Sequence, residues 1–132
     1  MTYHYHKTDG GRSLSKRPRQ RNDCVVRAIA VACEVTYDEA YDILRGLGRR
    51  SCRSVKPDVW KTWMLKYQGS VFVNYPVIIG VPRMTLDFFC AQAKGRWVVH
   101  IARHLTAVVD GTLYDEIMPP GDRCVYTAFK VG

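Results

Sequence analysis

The chain has 132 residues, of which 47% are apolar and 11% aromatic, and a formal net charge of +8. This length suits one domain with a single core, and the composition excludes a disordered chain. No stretch approaches the roughly 18–20 apolar residues of a membrane span, and the opening MTYHYHKTDGG lacks the apolar core of a secretory signal. The five cysteines are scattered without a CxxC pair, which argues against a disulfide framework or zinc finger. We therefore expect a cytoplasmic protein that needs no metal or other cofactor.

The positive charge is concentrated in two clusters. One occupies the first 21 residues: Lys7, Arg12, Lys16, Arg17, Arg19 and Arg21. The other consists of Arg49, Arg50, Arg53 and Lys56. Such clusters attract phosphate backbones and acidic protein surfaces alike, or simply keep a protein soluble. Neither cluster is interleaved with the aromatic residues that stack on bases, so the signal for nucleic acid is weak.

The composition divides the chain at residue 19. Residues 1–19 are polar, basic and rich in Gly, Ser and Pro, which predicts a flexible N-terminal tail before a single domain over 20–132. Asn22 or Asp23 can cap a first helix over about 24–33, which is apolar nearly all round and therefore predicted to be buried.

Two further helices follow the first. Thr36 and Glu39 fit a capping box for a helix over about 37–46. A third helix is predicted over about 58–67, where Trp60, Trp63, Met64 and Tyr67 recur at helical spacing. We interpret that stripe as core packing rather than a ligand site.

The remaining chain is predicted to be mostly β-structure. Short strands are expected at 71–73 and 77–81, then a short helix over about 85–93. Four β-rich segments follow, at 96–102, 104–111, 112–116 and 124–129. Helices first and strands later indicate an α+β domain in which N-terminal helices pack on a C-terminal antiparallel sheet.

Cys24 is the candidate nucleophile, because it stands in the first turn of the buried helix. A helix N-terminus stabilises a thiolate through its oriented N–H groups, and Arg27, one turn later, adds positive charge. The alternative is a small core residue, since free cysteine is often buried. Cys33, in the same helix, is a useful contrast and is predicted to be core.

A hairpin in the last third supplies a base and an acid. With Asp110-Gly111 as a two-residue turn, His104 and Asp115 become diagonal neighbours on one face of the paired strands. Asp110 lies roughly 20 Å from His104 along the extended strand, which excludes it as the partner. His100 is the rival base, in an apolar strand where it could equally be a core histidine.

These residues resemble a known family. The stretch "NDCVVRAIA" followed by "RWVVHIARHLTAVVDGTLYD" is similar to the papain-like cysteine peptidase superfamily, and in particular to small papain-like proteins of bacteriophages and bacteria. The resemblance covers roughly residues 20–127. It implies a papain-like fold with a central Cys-bearing helix, in which Cys24 is the nucleophile, His104 the general base and acid, and Asp115 the acid that orients His104.

One position departs from the family pattern. Papain carries an oxyanion-hole Gln six residues before its cysteine, where this chain has Pro18. Gln20 and Asn22 are nearer substitutes, together with the backbone N–H of Cys24. Loss of one oxyanion donor typically costs about 10²–10³ in rate.

The predicted function is a thiol hydrolase, a peptidase or isopeptidase that cleaves a peptide or other amide bond in an acidic peptide or protein. The resemblance implies a phage-encoded protein acting in the host cytoplasm. Two alternatives stay open. One is a catalytically weak papain-fold protein that binds and inhibits a host factor. The other is a basic nucleic-acid-binding protein.

Overall fold

The computed structural model describes residues 2–67 and 69–132, which form four α-helices and a six-stranded sheet. The helices are α1 (Cys24–Ala32), α2 (Tyr37–Gly46), α3 (Pro57–Lys66) and α4 (Leu86–Gln92). The strands are β1 (His4–Lys7), β2 (Val71–Asn74), β3 (Arg96–Ile101), β4 (His104–Val109), β5 (Thr112–Asp115) and β6 (Thr127–Val131). The predicted α+β class is therefore confirmed.

The sheet is mixed rather than antiparallel. Its strand order is β1-β5-β4-β3-β6-β2, and every pairing is antiparallel except that of β1 with β5. The prediction of an antiparallel sheet therefore holds for β2 to β6 and fails at the β1 edge.

Helices cover both faces of the sheet. Neighbouring residues of β3 point to opposite sides, so Val98 packs with α1, α2 and α3 while Val99 packs with α4. The first cluster includes Trp60, Met64 and Cys33, which confirms the predicted core roles of the α3 stripe and of the second cysteine in the α1 segment. No helix in the described ranges is long and apolar enough to cross a membrane.

Local sequence explains most helix boundaries. Thr36 accepts a hydrogen bond from the N–H of Glu39 at 3.1 Å, as the capping box predicts. α3 begins at Pro57, one residue earlier than predicted, because proline suits the first helical turn. Asp23 precedes α1, but its side chain makes no capping hydrogen bond. Its carboxylate is instead committed to arginine and tyrosine partners described below.

The N-terminal segment differs from the predicted flexible tail over 1–19. Residues 4–7 form β1, which pairs with β5, and Tyr3 and Tyr5 pack against the α4 side of the core. The alternation of tyrosine with polar residues suits a strand that is half buried, a pattern that the high charge of the segment obscured. Met1 lies outside the described residues.

Two β predictions were wrong: one predicted strand is absent and another begins later than predicted. Residues 77–81 form no strand, because Pro76 and Pro82 bracket them and Gly80 has a φ of +78°. The last strand begins at Thr127 rather than at Cys124.

The β4–β5 hairpin has the predicted register, with Val109 opposite Thr112 and Ala107 opposite Tyr114. Its turn residues Asp110 and Gly111 both have positive φ, at +48° and +83°, as a two-residue hairpin turn of this type requires. A Cβ on Gly111 would lie 2.8 Å from the carbonyl oxygen of Cys90. The turn therefore both sets the register and packs against α4.

We expect Gly111→Ala to lower the free energy of unfolding by about 2 kcal/mol, because it combines left-handed backbone strain with overlap on Cys90. Urea unfolding measures the change. Gly46→Ala is the matched control, since a Cβ there meets nothing within 4 Å and its φ is not positive. Equal unfolding free energies for the two variants would contradict the assignment of strain to the turn.

Candidate active site

The Cys24 thiol lies half-buried at the first residue of α1. It lines one cavity together with His104 and Leu105, and both residues lie close enough to lower its pKa. The two elements meet at their starts, because α1 begins at Cys24 and β4 begins at His104. The predicted nucleophile and base are therefore neighbours at one cavity.

His104 is held from its other side by Asp115. The ring Nε2 lies 2.5 Å from Oδ2 of Asp115, whose side chain is only 4% exposed. An ionised carboxylate can only accept hydrogen bonds, so Nε2 of His104 carries a proton and donates a hydrogen bond to Asp115. This leaves Nδ1 as the ring nitrogen available to the thiol. The structure thus places the three predicted residues together, with His104 between the carboxylate and the cavity of Cys24.

The charges of the three groups favour an ion pair. Burial disfavours the charged form of His104, but the Asp115 and Cys24 hydrogen bonds outweigh it and raise the His104 pKa to about 9. Burial likewise raises the pKa of the Cys24 thiol, yet the hydrogen bonds from His104 and Leu105 and the Arg27 charge bring it below its usual value. The Asp115 pKa is lowered because the His104 contact outweighs burial. Each of these groups therefore favours the charged form of its neighbour, which promotes a thiolate beside an imidazolium.

A cavity of about 220 Å³ opens beside the thiol. Its apolar wall includes Val55, Pro57 and Trp60, and the rival base His100 also lines it. Burial, with a smaller contribution from Lys61, lowers the His100 pKa to about 4, so this ring is neutral at pH 7. Its Nδ1 is buried without a hydrogen-bond partner, and its ring packs edge-on against Trp60. Among the described residues no carboxylate pairs with His100, whereas His104 has Asp115.

A buried ionic cluster lies behind the three residues and was not predicted. Asp23, 1% exposed, accepts hydrogen bonds from Arg12, Arg27 and Tyr37. Arg27 also reaches Oδ1 of Asp115 at 3.4 Å, and both arginines contact Glu116. The cluster therefore links the N-terminal segment and α1 to the carboxylate that holds His104. A lone arginine in an otherwise apolar helix, one turn after an Asp, was the only sequence signal for it.

Gln20 and Asn22, the predicted oxyanion donors, are both engaged with the loop at 51–52. Gln20 donates to Ser51 Oγ at 2.8 Å and accepts from the N–H of Cys52 at 2.8 Å. Asn22 donates to the carbonyl oxygen of Cys52 at 3.0 Å, from a left-handed backbone with φ of +51°. The structure thus gives both side chains a loop-anchoring role, and their oxyanion role stays a prediction.

The start of α1 offers other donors. The first α1 hydrogen bond runs from the N–H of Arg27 to the carbonyl of Asp23 at 2.9 Å. The N–H groups of Cys24 and Val25 precede that bond and so have no acceptor within the helix. Because the Asp23 side chain does not cap them, these N–H groups can donate hydrogen bonds to a negatively charged oxygen that develops next to the thiol.

Within residues 2–67 and 69–132, no group of three or more His, Cys, Asp or Glu side chains is arranged to hold a metal ion. In comparisons with known proteins, no family model, no curated sequence and no solved structure matches the chain. The geometry of its own residues is therefore the basis for assigning a function.

Proposed function

We propose that the protein is a cysteine hydrolase that cleaves an amide bond of a peptide or protein through Cys24, His104 and Asp115. The observation that carries the proposal is that His104, hydrogen-bonded to the buried Asp115, lines the same cavity as the Cys24 thiol and lowers its pKa. A thiol paired to an imidazole that is itself oriented by a third group is the arrangement that activates a nucleophile.

The chemistry follows from the positions of the protons. The Cys24 thiolate attacks the carbonyl carbon, a C–S bond forms, and the oxygen takes up the negative charge. The imidazolium Nδ1 of His104 then gives its proton to the nitrogen, and the C–N bond breaks to release the amine. A water molecule, deprotonated by His104, attacks the resulting thioester. Breakage of the C–S bond releases the acid and restores the pair.

Three features of the surroundings support this reaction. The site is half-buried, so the charges of the pair are partly shielded from water. Electrostatic contacts are stronger in such an environment than in water. The N–H groups of Cys24 and Val25 at the start of α1 have no acceptor within the helix and can serve as oxyanion donors. The adjoining cavity gives room for a substrate side chain next to the nucleophile.

The proposal is tested by trapping the thioester. We expect a p-nitrophenyl acyl ester to acylate Cys24, visible as an added acyl mass on the tryptic fragment 22–27, and the acyl group to leave again in water. Cys24→Ala should abolish the adduct, and His104→Ala should slow both steps by about 10²-fold or more. His100→Ala is the control. An acyl group that forms at the same rate without His104 would overturn the hydrolase and favour a binding protein.

A further inference from the structure

Folding joins the two basic clusters of the sequence into one surface. Gln20 binds Ser51 and Cys52, Asn22 binds Cys52, and Arg49 donates to the carbonyl oxygen of Arg21 at 3.1 Å. These contacts fasten residues 19–22 to the loop at 49–56, about thirty positions further along the chain. We call the exposed cations of the joined surface the basic rim: Arg19, Arg21, Arg50, Arg53 and Lys56.

The basic rim has no acidic partners of its own. Across the described ranges, none of its five side chains forms a salt bridge with a carboxylate. Other arginines of the same sequence clusters are neutralised, since Arg12 binds Asp23 and Arg17 binds Asp38. Within the described part of the chain, folding thus leaves these five cations without carboxylate partners.

The basic rim adjoins the candidate active site. A second cavity, of about 260 Å³, is lined by Arg50, Arg53 and Lys56. It shares Ser54 and Val55 with the cavity that holds Cys24. A chain that crosses these two residues in an extended conformation therefore passes from the nucleophile directly to the cations.

We propose that the basic rim is a substrate-docking surface that selects a peptide segment with acidic side chains within a few residues of the bond that Cys24 attacks. This inference rests on the proposed hydrolase function and adds the substrate class to it. Complementary charge across such a surface guides the encounter and fixes the register of the bound chain.

An acidic peptide fits this surface better than nucleic acid does. Single strands bind by stacking bases on exposed aromatic rings that are interleaved with cations. The basic rim contains no aromatic residue, and the nearby Tyr41 is 7% exposed, with Arg17 and Arg49 over its ring. The cations therefore supply charge beside a reactive thiol without a stacking platform.

The test measures binding in the full-length Cys24→Ala chain, which cannot form an acyl-enzyme. The probe is a fluorescein-labelled octapeptide of alternating Glu and Ala, followed by anisotropy at 50 mM and 200 mM NaCl. A Gln/Ala octapeptide and a five-nucleotide oligothymidylate with the same charge as the acidic probe serve as comparisons. Arg50→Glu/Arg53→Glu is the test variant, and Lys66→Glu/Lys94→Glu is a control with the same change in net charge.

We expect the acidic peptide to bind at least about tenfold more tightly than the Gln/Ala peptide, and more weakly at the higher salt. Charge reversal at Arg50 and Arg53 should weaken binding of the acidic peptide by about tenfold. The Lys66/Lys94 control should weaken that binding by less than about twofold. Equal binding of the neutral peptide, or an equal loss in the control, would overturn the inference. Tighter binding of the oligothymidylate would overturn it in favour of nucleic acid.

The two proposals fail in different ways. Peptide binding that persists while no acyl-enzyme forms on Cys24 overturns the hydrolase and leaves a binding surface. An acyl-enzyme that forms while the acidic peptide does not bind overturns the role of the basic rim and leaves the hydrolase.

Discussion

Replacing His104 with alanine should slow the alkylation of Cys24 at pH 7 by about tenfold or more, because the thiolate fraction depends on this ring. In the native chain the Cys24 pKa is lowered and the His104 pKa is raised to about 9, so alkylation should reach its plateau at a lower pH than for an ordinary thiol. His104→Ala should raise the pH midpoint of Cys24 alkylation. Hydrolysis should instead decline as the pH rises through about 9, where His104 loses the proton that the leaving amine needs.

The rate is measured with iodoacetamide, by mass spectrometry of the tryptic fragment 22–27, whose only cysteine is Cys24. This fragment is needed because hydrogen bonds from Arg21 and Ser51 also lower the pKa of the half-buried Cys52 thiol. His100→Ala is the matched control, since that ring lines the same cavity but has no acid partner. A larger shift of the Cys24 midpoint in His100→Ala than in His104→Ala would reverse the assignment of the base.

Asp23→Ala should lower the free energy of unfolding by about 3–5 kcal/mol, the range for removing one partner of a buried ion pair. The carboxylate is 1% exposed, and its loss leaves Arg12 and Arg27, whose side chains are 16% and 13% exposed, without their shared acceptor. Asp23→Asn keeps the shape of the side chain and one hydrogen-bond acceptor, so it should lower the free energy of unfolding by less. Urea unfolding at pH 7 measures each variant.

Asp42→Ala is the control for a surface pair. Asp42 contacts Arg17 and Arg45 but is 53% exposed, so its loss should cost about 1 kcal/mol or less. A loss for Asp23→Ala no greater than that of Asp42→Ala would show that the buried cluster contributes nothing special to stability. If Asp23→Ala remains folded, the Cys24 alkylation midpoint should fall, because Arg27, whose charge lowers the Cys24 pKa, loses its carboxylate partner.

The contact between His104 and Asp115 could be predicted because it depends on local rules. The Asp110-Gly111 turn sets the hairpin register, and the alternation of side chains along the strands then places both residues on one face. The start of the Cys24 helix was equally local, since it follows from the change from polar to apolar residues. Contact of the thiol with the hairpin was an inference from the family resemblance, and only the packing of α1 on the sheet brings the two together.

Long-range polar contacts could not be predicted in the same way. Arg12 meets Glu116, 104 residues away, and Arg21 meets Arg49 across the basic rim. A charged side chain in a sequence is compatible with solvent, with a salt bridge or with a backbone carbonyl, and no periodicity distinguishes these. The prediction of residues 1–19 as a flexible tail came from this ambiguity.

Local sequence patterns were enough to predict the α+β class, the limits of α1 and α2 to within a residue, the core stripe of α3 and the hairpin register. Hydrophobic periodicity, caps and turn residues act over a few positions, so one chain contains all the information they need. Tertiary structure alone decided that the N-terminal segment joins the sheet, that Asp23 lies at the centre of a buried ionic cluster, and that two basic clusters form one surface beside Cys24. Those outcomes depend on which distant groups meet when the apolar faces pack, because burial and charge pairing are properties of the assembled core.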